Sequence, residues 1–236
     1  MRGIAFRMRV IVLGGSGMVG QGVLRECLLD TGVSEVLSVG RRALDASVDS
    51  AVDRRSPKLR ELVCPEEFAS LDFTSVADAL TGCDACFFPL GVSSVGMKEA
   101  EYTRITRDLT LAVARVLAER NSSMVFVYVS GEGTDANSKT MWSRVKGGVE
   151  NALMAMPFRA AYAFRPGLIL AKHGIRSKVA IYNFFYRALF PLVWVLGKFP
   201  KLATDTETVG RAMLRVAKET PQQRVWNTAA INSLGR

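Results

Sequence analysis

A group of closely spaced glycines near the start of the chain has the pattern of a phosphate-binding turn. The apolar residues 10–13 lead directly into the sequence GGSGMVG at residues 14–20, and a helical pattern follows at once. In such a turn one glycine makes the tight bend, one lets the backbone approach a pyrophosphate, and one lets the helix pack on the strand. The start of the helix adds free N–H groups and the positive end of its dipole. We therefore expect dinucleotide binding, against the alternative of a glycine-rich turn without a ligand, at Gly14, Ser16, Gly17, Met18, Val19 and Gly20.

Two adjacent arginines follow the next apolar segment. A site selective for NAD places Asp or Glu at the end of the second strand, where it binds the 2′-hydroxyl of the adenosine ribose. Here residues 36–39 are followed by Gly40, Arg41 and Arg42. Because guanidinium groups bind phosphate through charge-assisted, bidentate hydrogen bonds, the sequence predicts NADP(H) as the cofactor. The alternative is that one of the two arginines is only a solvated surface charge.

Short apolar segments alternate with longer amphipathic segments along the chain. Five compact segments rich in Val, Phe and Tyr are predicted as buried parallel strands: residues 10–13, 36–39, 85–90, 124–129 and 161–164. Four segments with apolar residues at every third or fourth position are predicted as helices: residues 20–29, 76–80, 101–120 and 141–156. This order predicts an α/β fold, a Rossmann-type doubly wound parallel sheet with helices on both faces.

Length and composition fit one domain. The chain has 236 residues, 49% hydrophobic and 22% charged, which excludes a disordered or low-complexity protein. We expect a single Rossmann domain over residues 1–236. The sequence Thr204-Asp205-Thr206-Glu207 predicts a capping box that opens a C-terminal helix. Residues 170–236 are expected to contribute a small substrate-side lobe.

The formal net charge of +9 raises the question of an anionic macromolecular partner. The basic residues are spread along the chain, and the densest stretch, residues 53–60, has the character of a solvated loop. We therefore expect no nucleic-acid partner. The sequence leaves the oligomeric state open, with a homodimer as one alternative.

The cysteines indicate a reducing compartment, and we expect a cytoplasmic protein. Four cysteines are too few for a disulfide framework in a chain of this size, and the apolar residues 10–13 are too short for the core of a signal peptide. Cys83 and Cys86 have the spacing of a redox pair or half a metal site, but they lie where small apolar residues pack at the start of a strand. His173 is the only histidine, and we expect no metal site.

The apolar segment 179–197 is interrupted by Asn183, Arg187 and Pro191, so it is not predicted to span a membrane. Burial as a core or lid segment is the expected arrangement, and interfacial membrane contact is the alternative. The aromatic residues within 182–194 could form core, a hydrophobic substrate wall or a membrane contact, and the sequence leaves this open.

Further motifs carry a resemblance to a known superfamily. Besides GGSGMVG and Gly-Arg-Arg, they are Leu90-Gly91-Val92, Val129-Ser130-Gly131, Val145-Lys146-Gly147 and Arg165-Pro166-Gly167. With these motifs the whole chain resembles the atypical, extended branch of the short-chain dehydrogenase/reductases. Within it, the sequence is most similar to bacterial proteins labelled nucleoside-diphosphate-sugar epimerases and to Tat-interacting-protein-like oxidoreductases.

The resemblance implies roles for several residues. Leu90 and Gly91 would line the adenosine side of the cofactor, and Pro166 and Gly167 would shape the nicotinamide edge. An acidic residue after the third strand of the superfamily fold, a strand that is not among the five predicted segments, would contact the adenine amine. Both Glu67 and Asp72 suit that position, and the spacing does not decide between them.

The catalytic residues that the resemblance implies are incomplete. In the superfamily a Ser orients the substrate oxygen, a Tyr transfers the proton, and a Lys lowers the Tyr pKa and holds the nicotinamide ribose. Ser130 and Lys146 match, but Trp142 occupies the Tyr position, and an indole N–H cannot shuttle a proton near neutral pH. Three explanations are open: a hydroxyl from Tyr102 or Tyr182, an activated hydride acceptor that needs no strong protein acid, or loss of catalysis.

The sequence therefore predicts an NADP(H)-binding oxidoreductase or epimerase-like enzyme that acts on a small molecule, with Ser130, Lys146 and Trp142 at its catalytic position. The alternative is a non-catalytic NADP(H) sensor or scaffold that regulates a protein partner. The substrate cannot be named, because specificity in these folds resides in variable loops.

Overall fold

The computed structural model describes residues 7–48, 50–175 and 201–236, which contain a seven-stranded parallel sheet. Its strands are β1 (Met8–Leu13), β2 (Val33–Gly40), β3 (Leu59–Val63), β4 (Ala85–Phe88), β5 (Val125–Val129), β6 (Ala160–Arg165) and β9 (Val225–Asn227). Their spatial order is β3-β2-β1-β4-β5-β6-β9. This order reverses direction beside β1, as in a doubly wound Rossmann sheet, so the predicted fold is confirmed. Strands β7 (Leu168–Leu170) and β8 (Ala203–Asp205) form a separate parallel pair.

Helices cover both faces of the sheet. They are α1 (Met18–Leu29), α2 (Pro65–Ser70), α3 (Glu99–Thr103), α4 (Leu109–Arg120), α5 (Met141–Met154), α6 (Thr206–Glu219) and α7 (Thr228–Gly235). A π-helical turn, Arg104–Asp108, joins α3 to α4, and 3₁₀ helices occupy Ala46–Val48 and Thr74–Leu80. The predicted helices 101–120 and 76–80 therefore exist, the first with a π-helical interruption and the second in the tighter 3₁₀ form.

The two faces of each central strand contribute to different halves of the core. In β1, Val10 and Val12 pack in the layer that contains α1, α6 and α7, whereas Ile11 and Leu13 pack in the layer of α2, α4 and α5. A strand that is buried on both faces needs an apolar residue at every position. This requirement explains why the central strands could be located from the sequence.

The position of the edge strand β3 was not predicted from its residues. Arg60, Glu61 and Val63 are exposed, and the strand begins inside the basic stretch 53–60 that the sequence predicted as a loop. Because β3 has a strand neighbour only on the β2 side, its sequence does not need the continuous apolar character of a central strand.

Residues 170–236, which are expected to contribute a small lobe, are described in part, and the described elements from residue 203 onward pack on the main sheet. Helix α6 packs along α1 through the buried side chains of Val209, Met213 and Val216, and β9 pairs with β6 as the seventh strand of the main sheet. These elements belong to the Rossmann body because their apolar side chains complete its core. Helix α6 is capped by Asp205, whose Oδ1 accepts a hydrogen bond from the Thr208 amide at 2.7 Å, one residue later than the predicted box.

The predictions for segments 179–197 and 182–194, including Tyr182, lie outside the described residues. Within the described ranges, no helix combines the length and the apolar character that a membrane span requires.

The close approach of α1 and α6 generates a prediction about stability. A Cβ at Gly22 would lie 2.5 Å from the backbone oxygen of Thr206, so Gly22→Ala should push the two helices apart. We expect a loss of about 1–3 kcal/mol in the free energy of unfolding, measured by urea denaturation followed by circular dichroism. The control is Gly148→Ala on α5, where the added methyl meets nothing within 4 Å. This control should stabilise the protein by up to about 1 kcal/mol through helix propensity, and equal effects of both variants would contradict the packing argument.

Candidate functional site

The glycine turn between β1 and α1 is sterically closed to larger residues. Gly14 has a φ of +90°, and a Cβ at this position would lie 2.9 Å from the backbone N and Cα of Leu90, just after β4. A Cβ at Gly20 would lie only 2.0 Å from the carbonyl oxygen of Gly14. The Gly17 amide donates to that same oxygen at 2.9 Å. The three glycines therefore hold the end of β1, the start of α1 and the end of β4 in close contact.

The start of α1 is open to an anion. Gly17 is the N-terminal cap and forms no side-chain cap, and the first turn of the helix contains no acidic residue. The first amides of a helix have no intrahelical acceptor, so the N–H groups at this end are available to a ligand. Gln21, which the sequence analysis missed, is buried beneath the turn and donates from Nε2 to the Ser16 carbonyl at 3.2 Å.

Arg41 and Arg42 lie directly after β2, next to the glycine turn in the sheet order. Both side chains are exposed. Within the part of the chain that the structure describes, neither guanidinium group forms a hydrogen bond or an ion pair. Two uncompensated positive charges therefore stand at the end of the strand neighbouring β1.

The adenosine side of the predicted site is only partly defined. Leu90 contacts Gly14 through its backbone, and Gly91 is exposed with open space around its Cα. Glu67 accepts a hydrogen bond from the Ser75 hydroxyl at 2.7 Å. Asp72 accepts from the Thr74 amide and hydroxyl, and these bonds lower the pKa of its carboxyl group. Each acid is engaged locally, so the choice between them stays open.

Ser130 and Lys146 lie together at the end of β5. The Lys146 ammonium donates to the Ser130 carbonyl oxygen at 2.8 Å. The Ser130 hydroxyl is buried and lies 2.9 Å from the Thr134 hydroxyl, which itself donates to the Gly131 carbonyl at 2.8 Å. Since Thr134 has a single hydroxyl hydrogen, Ser130 must donate to Thr134 in this arrangement. The Ser130 hydroxyl therefore has no proton to offer a substrate.

Trp142 lies over the loop that follows Ser130. A Cβ at Gly131 would lie 3.9 Å from the indole Cζ3, and one at Gly133 would lie 3.7 Å from Cη2. The ring thus contacts the loop by van der Waals packing. In the position of the expected Tyr the structure holds a flat apolar surface and no acidic hydroxyl.

A buried ion pair, missed by the sequence analysis, supports this region from behind. Glu150, one helical turn after Lys146, accepts from the Arg165 guanidinium, with Nε at 3.0 Å from Oε1. Burial lowers the pKa of Lys146 to about 8, and the Glu150 charge acts in the opposite direction. The i, i+4 spacing of Lys146 and Glu150 was the available signal, but only the fold brings Arg165 to Glu150.

The connection after β6 is held by backbone contacts. The Gly167 amide donates to the Thr228 hydroxyl at 2.8 Å, and the Glu132 amide donates to the Pro166 carbonyl at 3.0 Å. Pro166 and Gly167 are thereby fixed beside the loop that carries Ser130. The structure brings the predicted residues of the nicotinamide end to one edge of the sheet.

Other residues with potential chemistry are enclosed or paired. Tyr102, one of the alternative proton donors, is 1% exposed, and burial raises its pKa. All four cysteines are free and buried, and burial raises the pKa of Cys83 to about 11. His173 forms a contact of 2.7 Å with Glu207. No group of three or more metal-ligating side chains occurs among the described residues.

No family model matches the chain. The sequence is nevertheless 30% identical to HTATIP2 of Rattus norvegicus over 230 residues, which cover 96% of this chain and 89% of that protein. The chain belongs to the HTATIP2 family. FMP52 of Eremothecium gossypii is also similar, with 27% identity over 239 residues that cover 96% of this chain and 97% of that protein.

Solved structures share the fold of this HTATIP2 family member. WbmF of Bordetella bronchiseptica, solved in complex with NAD+, gives a TM-score of 0.66 at 16% identity and covers 97% of this chain and 76% of its own. A short-chain dehydrogenase of Burkholderia cenocepacia, solved in complex with NADP, gives 0.64 at 14% identity and covers 97% and 91%. At these identities the likeness shows the fold alone.

The family comparison corrects the expected location. The FMP52 relatives of several fungi, including Eremothecium gossypii and Saccharomyces cerevisiae, are named as mitochondrial proteins. The cytoplasmic location expected for this member of the HTATIP2 family is wrong on that finding. A low cysteine count indicates reducing conditions but does not distinguish one compartment from another.

The burial of Lys146 generates a pH-dependent prediction. Its pKa of about 8 in the folded chain lies below the usual value of 10.5, so the unfolded chain binds more protons between these pH values. The contribution of Lys146 to stability must therefore rise with pH in this window. Relative to Lys146→Met, we expect wild-type protein to gain about 1–3 kcal/mol in unfolding free energy between pH 7 and pH 10.

Urea denaturation without cofactor at a series of pH values measures this difference. The control is Lys139→Met, which removes an exposed lysine, and its difference from wild type should stay flat across the series. If the Lys146→Met difference is equally flat, the ammonium group is solvated and its inferred burial is wrong.

Proposed function

We propose that the protein binds NADP(H) across the ends of β1, β2, β4, β5 and β6. The observation that carries this proposal is the uncapped start of α1, behind a turn in which Gly14 and Gly20 leave no room for a Cβ. There the N–H groups of Met18 and Val19, in the first turn of α1, would bind the pyrophosphate. Ser16 and Gly20 complete the turn on either side of these amides.

The preference for the phosphorylated cofactor rests on Arg41 and Arg42. Both are exposed at the end of β2 and have no described carboxylate to neutralise them. A 2′-phosphate would provide the missing counter-charge through bidentate hydrogen bonds. Structural neighbours of the chain are named in complex with NAD+ or NADP, which supports a nicotinamide dinucleotide in general.

At the other end of the cofactor, Lys146 would hold the nicotinamide ribose. Its ammonium has three hydrogens, and the described contact with the Ser130 carbonyl uses one of them. Pro166 and Gly167 would limit the nicotinamide edge, while Leu90 and Gly91 would line the adenosine side. When bound and reduced, the cofactor supplies a hydride to an acceptor.

The chemistry that these residues support is reduction of an activated acceptor. Trp142 cannot donate a proton, Tyr102 is enclosed, and the Ser130 hydroxyl donates to Thr134. A simple ketone needs a proton at its oxygen as hydride arrives, and none of these three side chains can donate one as the Tyr of the superfamily does. Quinones, flavins and conjugated enones have a lower demand for such an acid, so we propose an NADP(H)-dependent oxidoreductase that acts on a small molecule of this kind.

A second candidate function is a non-catalytic NADP(H) sensor or scaffold that regulates a protein partner. The observation that favours it is that the Ser130 hydroxyl is hydrogen-bonded to the Thr134 hydroxyl and that Trp142 packs over the loop after Ser130. Under this proposal the cofactor binds with the same contacts but no hydride leaves it.

Replacement of the two arginines tests the cofactor preference. The double variant Arg41→Ala, Arg42→Ala should bind NADPH about 10- to 100-fold more weakly in isothermal titration calorimetry, because it loses charge-assisted phosphate contacts. Its affinity for NADH should change little. The control is Arg115→Ala, an exposed arginine on α4. Equal losses for NADPH and NADH would show that the arginines do not read the 2′-phosphate.

Turnover separates the two candidate functions. Purified protein mixed with NADPH and a quinone, a flavin or an enone should lose the absorbance of the reduced nicotinamide, whereas a simple ketone should give no loss. Trp142→Tyr, which restores the hydroxyl of the superfamily, should gain activity with the ketone. Tight NADPH binding with no consumption across the whole panel would reject the enzyme and favour the sensor.

A further inference from the structure

Two arginines line a cavity at the end of the sheet opposite to the candidate dinucleotide site. Arg159 immediately precedes β6, and Arg224 immediately precedes β9, so both lie at the amino ends of neighbouring parallel strands. The cavity between them has a volume of about 100 Å³ and is also lined by Met154, Met156 and Phe158. One polar side and one apolar side therefore face the same space.

Neither guanidinium group has an acidic partner among the residues that the structure describes. The buried Nη1 of Arg224 has no hydrogen-bond partner among the described residues. The Arg159 guanidinium donates to the Thr220 hydroxyl at 3.3 Å. Other arginines of the chain do contact carboxylates, namely Arg9, Arg25, Arg144, Arg165, Arg211 and Arg215.

Tyr162 lies beside the Arg224 guanidinium. The centre of the Arg224 guanidinium lies 5.1 Å from the centroid of the Tyr162 ring, and the phenol donates to the Pro221 carbonyl at 2.8 Å. Burial raises the pKa of Tyr162, while the charges of Arg224 and Arg159 act in the opposite direction. Both guanidinium groups are therefore near enough to the phenol to influence its ionisation.

We propose that this cavity binds a small tetrahedral oxyanion of the phosphate class. Two guanidinium groups that line one cavity and have no described carboxylate partner repel each other, and an oxyanion bound by both would neutralise their charges through charge-assisted hydrogen bonds. The volume exceeds what a single water molecule requires, so a small anion has room. The site is independent of dinucleotide binding, because it lies at the amino ends of the strands and the cofactor at their carboxyl ends.

Calorimetric titration with inorganic phosphate against sodium chloride at matched ionic strength tests the proposal. Arg224→Gln and Arg159→Gln should each weaken phosphate binding about tenfold or more, since each removes a charged donor. The control is Arg215→Gln, which removes an exposed arginine that is already paired with Glu219, and it should leave phosphate affinity unchanged. The glycine turn is intact in all four proteins, so phosphate bound there contributes equally. Identical titrations would overturn the proposal.

A direct measurement covers the case in which a variant fails to fold. Crystals of wild-type protein soaked in selenate, a tetrahedral anion with an anomalous signal, should show a peak between the guanidinium groups of Arg159 and Arg224. No peak there would overturn the proposal even if NADPH binding is demonstrated.

Phenyl phosphate provides a further comparison. If phenyl phosphate binds more tightly than inorganic phosphate, the site favours a phosphomonoester whose apolar group packs on Met154, Met156 and Phe158. If the two bind equally, the site favours the free ion.

Discussion

The candidate site depends on one steric constraint, the absence of a Cβ where β1 turns into α1. Gly14 contacts the backbone of Leu90, and Gly20 contacts the carbonyl of Gly14, at distances that no side chain would permit. These contacts bring the ends of β1 and β4 and the start of α1 together. A helix that begins here without a side-chain cap must leave its first N–H groups to solvent or to a ligand. The rest of the proposed site is arranged around that position.

The two ends of the proposed site have different degrees of completeness. At the phosphate end, the exposed side chains of Arg41 and Arg42 and the first amides of α1 have no described acceptor. At the nicotinamide end, Lys146 is half-buried and donates to the Ser130 carbonyl, and the Glu150–Arg165 pair fixes the helix behind it. No free hydroxyl stands at the position of the expected Tyr, because Trp142 occupies it and the Ser130 hydroxyl donates its hydrogen bond to Thr134. Under the proposed function, this arrangement favours acceptors that need no strong protein acid.

The sequence predicted those features whose cause is local or periodic. Strands β1, β4 and β5 could be located because burial on both faces requires continuous apolar residues, and the glycine turn could be found because its spacing is steric. The edge strand β3 could not be located from the sequence because its residues Arg60 and Glu61 face solvent. The Arg165–Glu150 pair and the packing of α6 on α1 depend on which elements the fold brings together. A single sequence without its fold does not contain that information.

The most direct test of the central claim is a crystal structure of the protein grown with NADP+. The account predicts density for the pyrophosphate against the amides of Met18 and Val19, with the 2′-phosphate between Arg41 and Arg42. Density for a dinucleotide in another position, or a vacant α1 terminus at saturating NADP+, would contradict it.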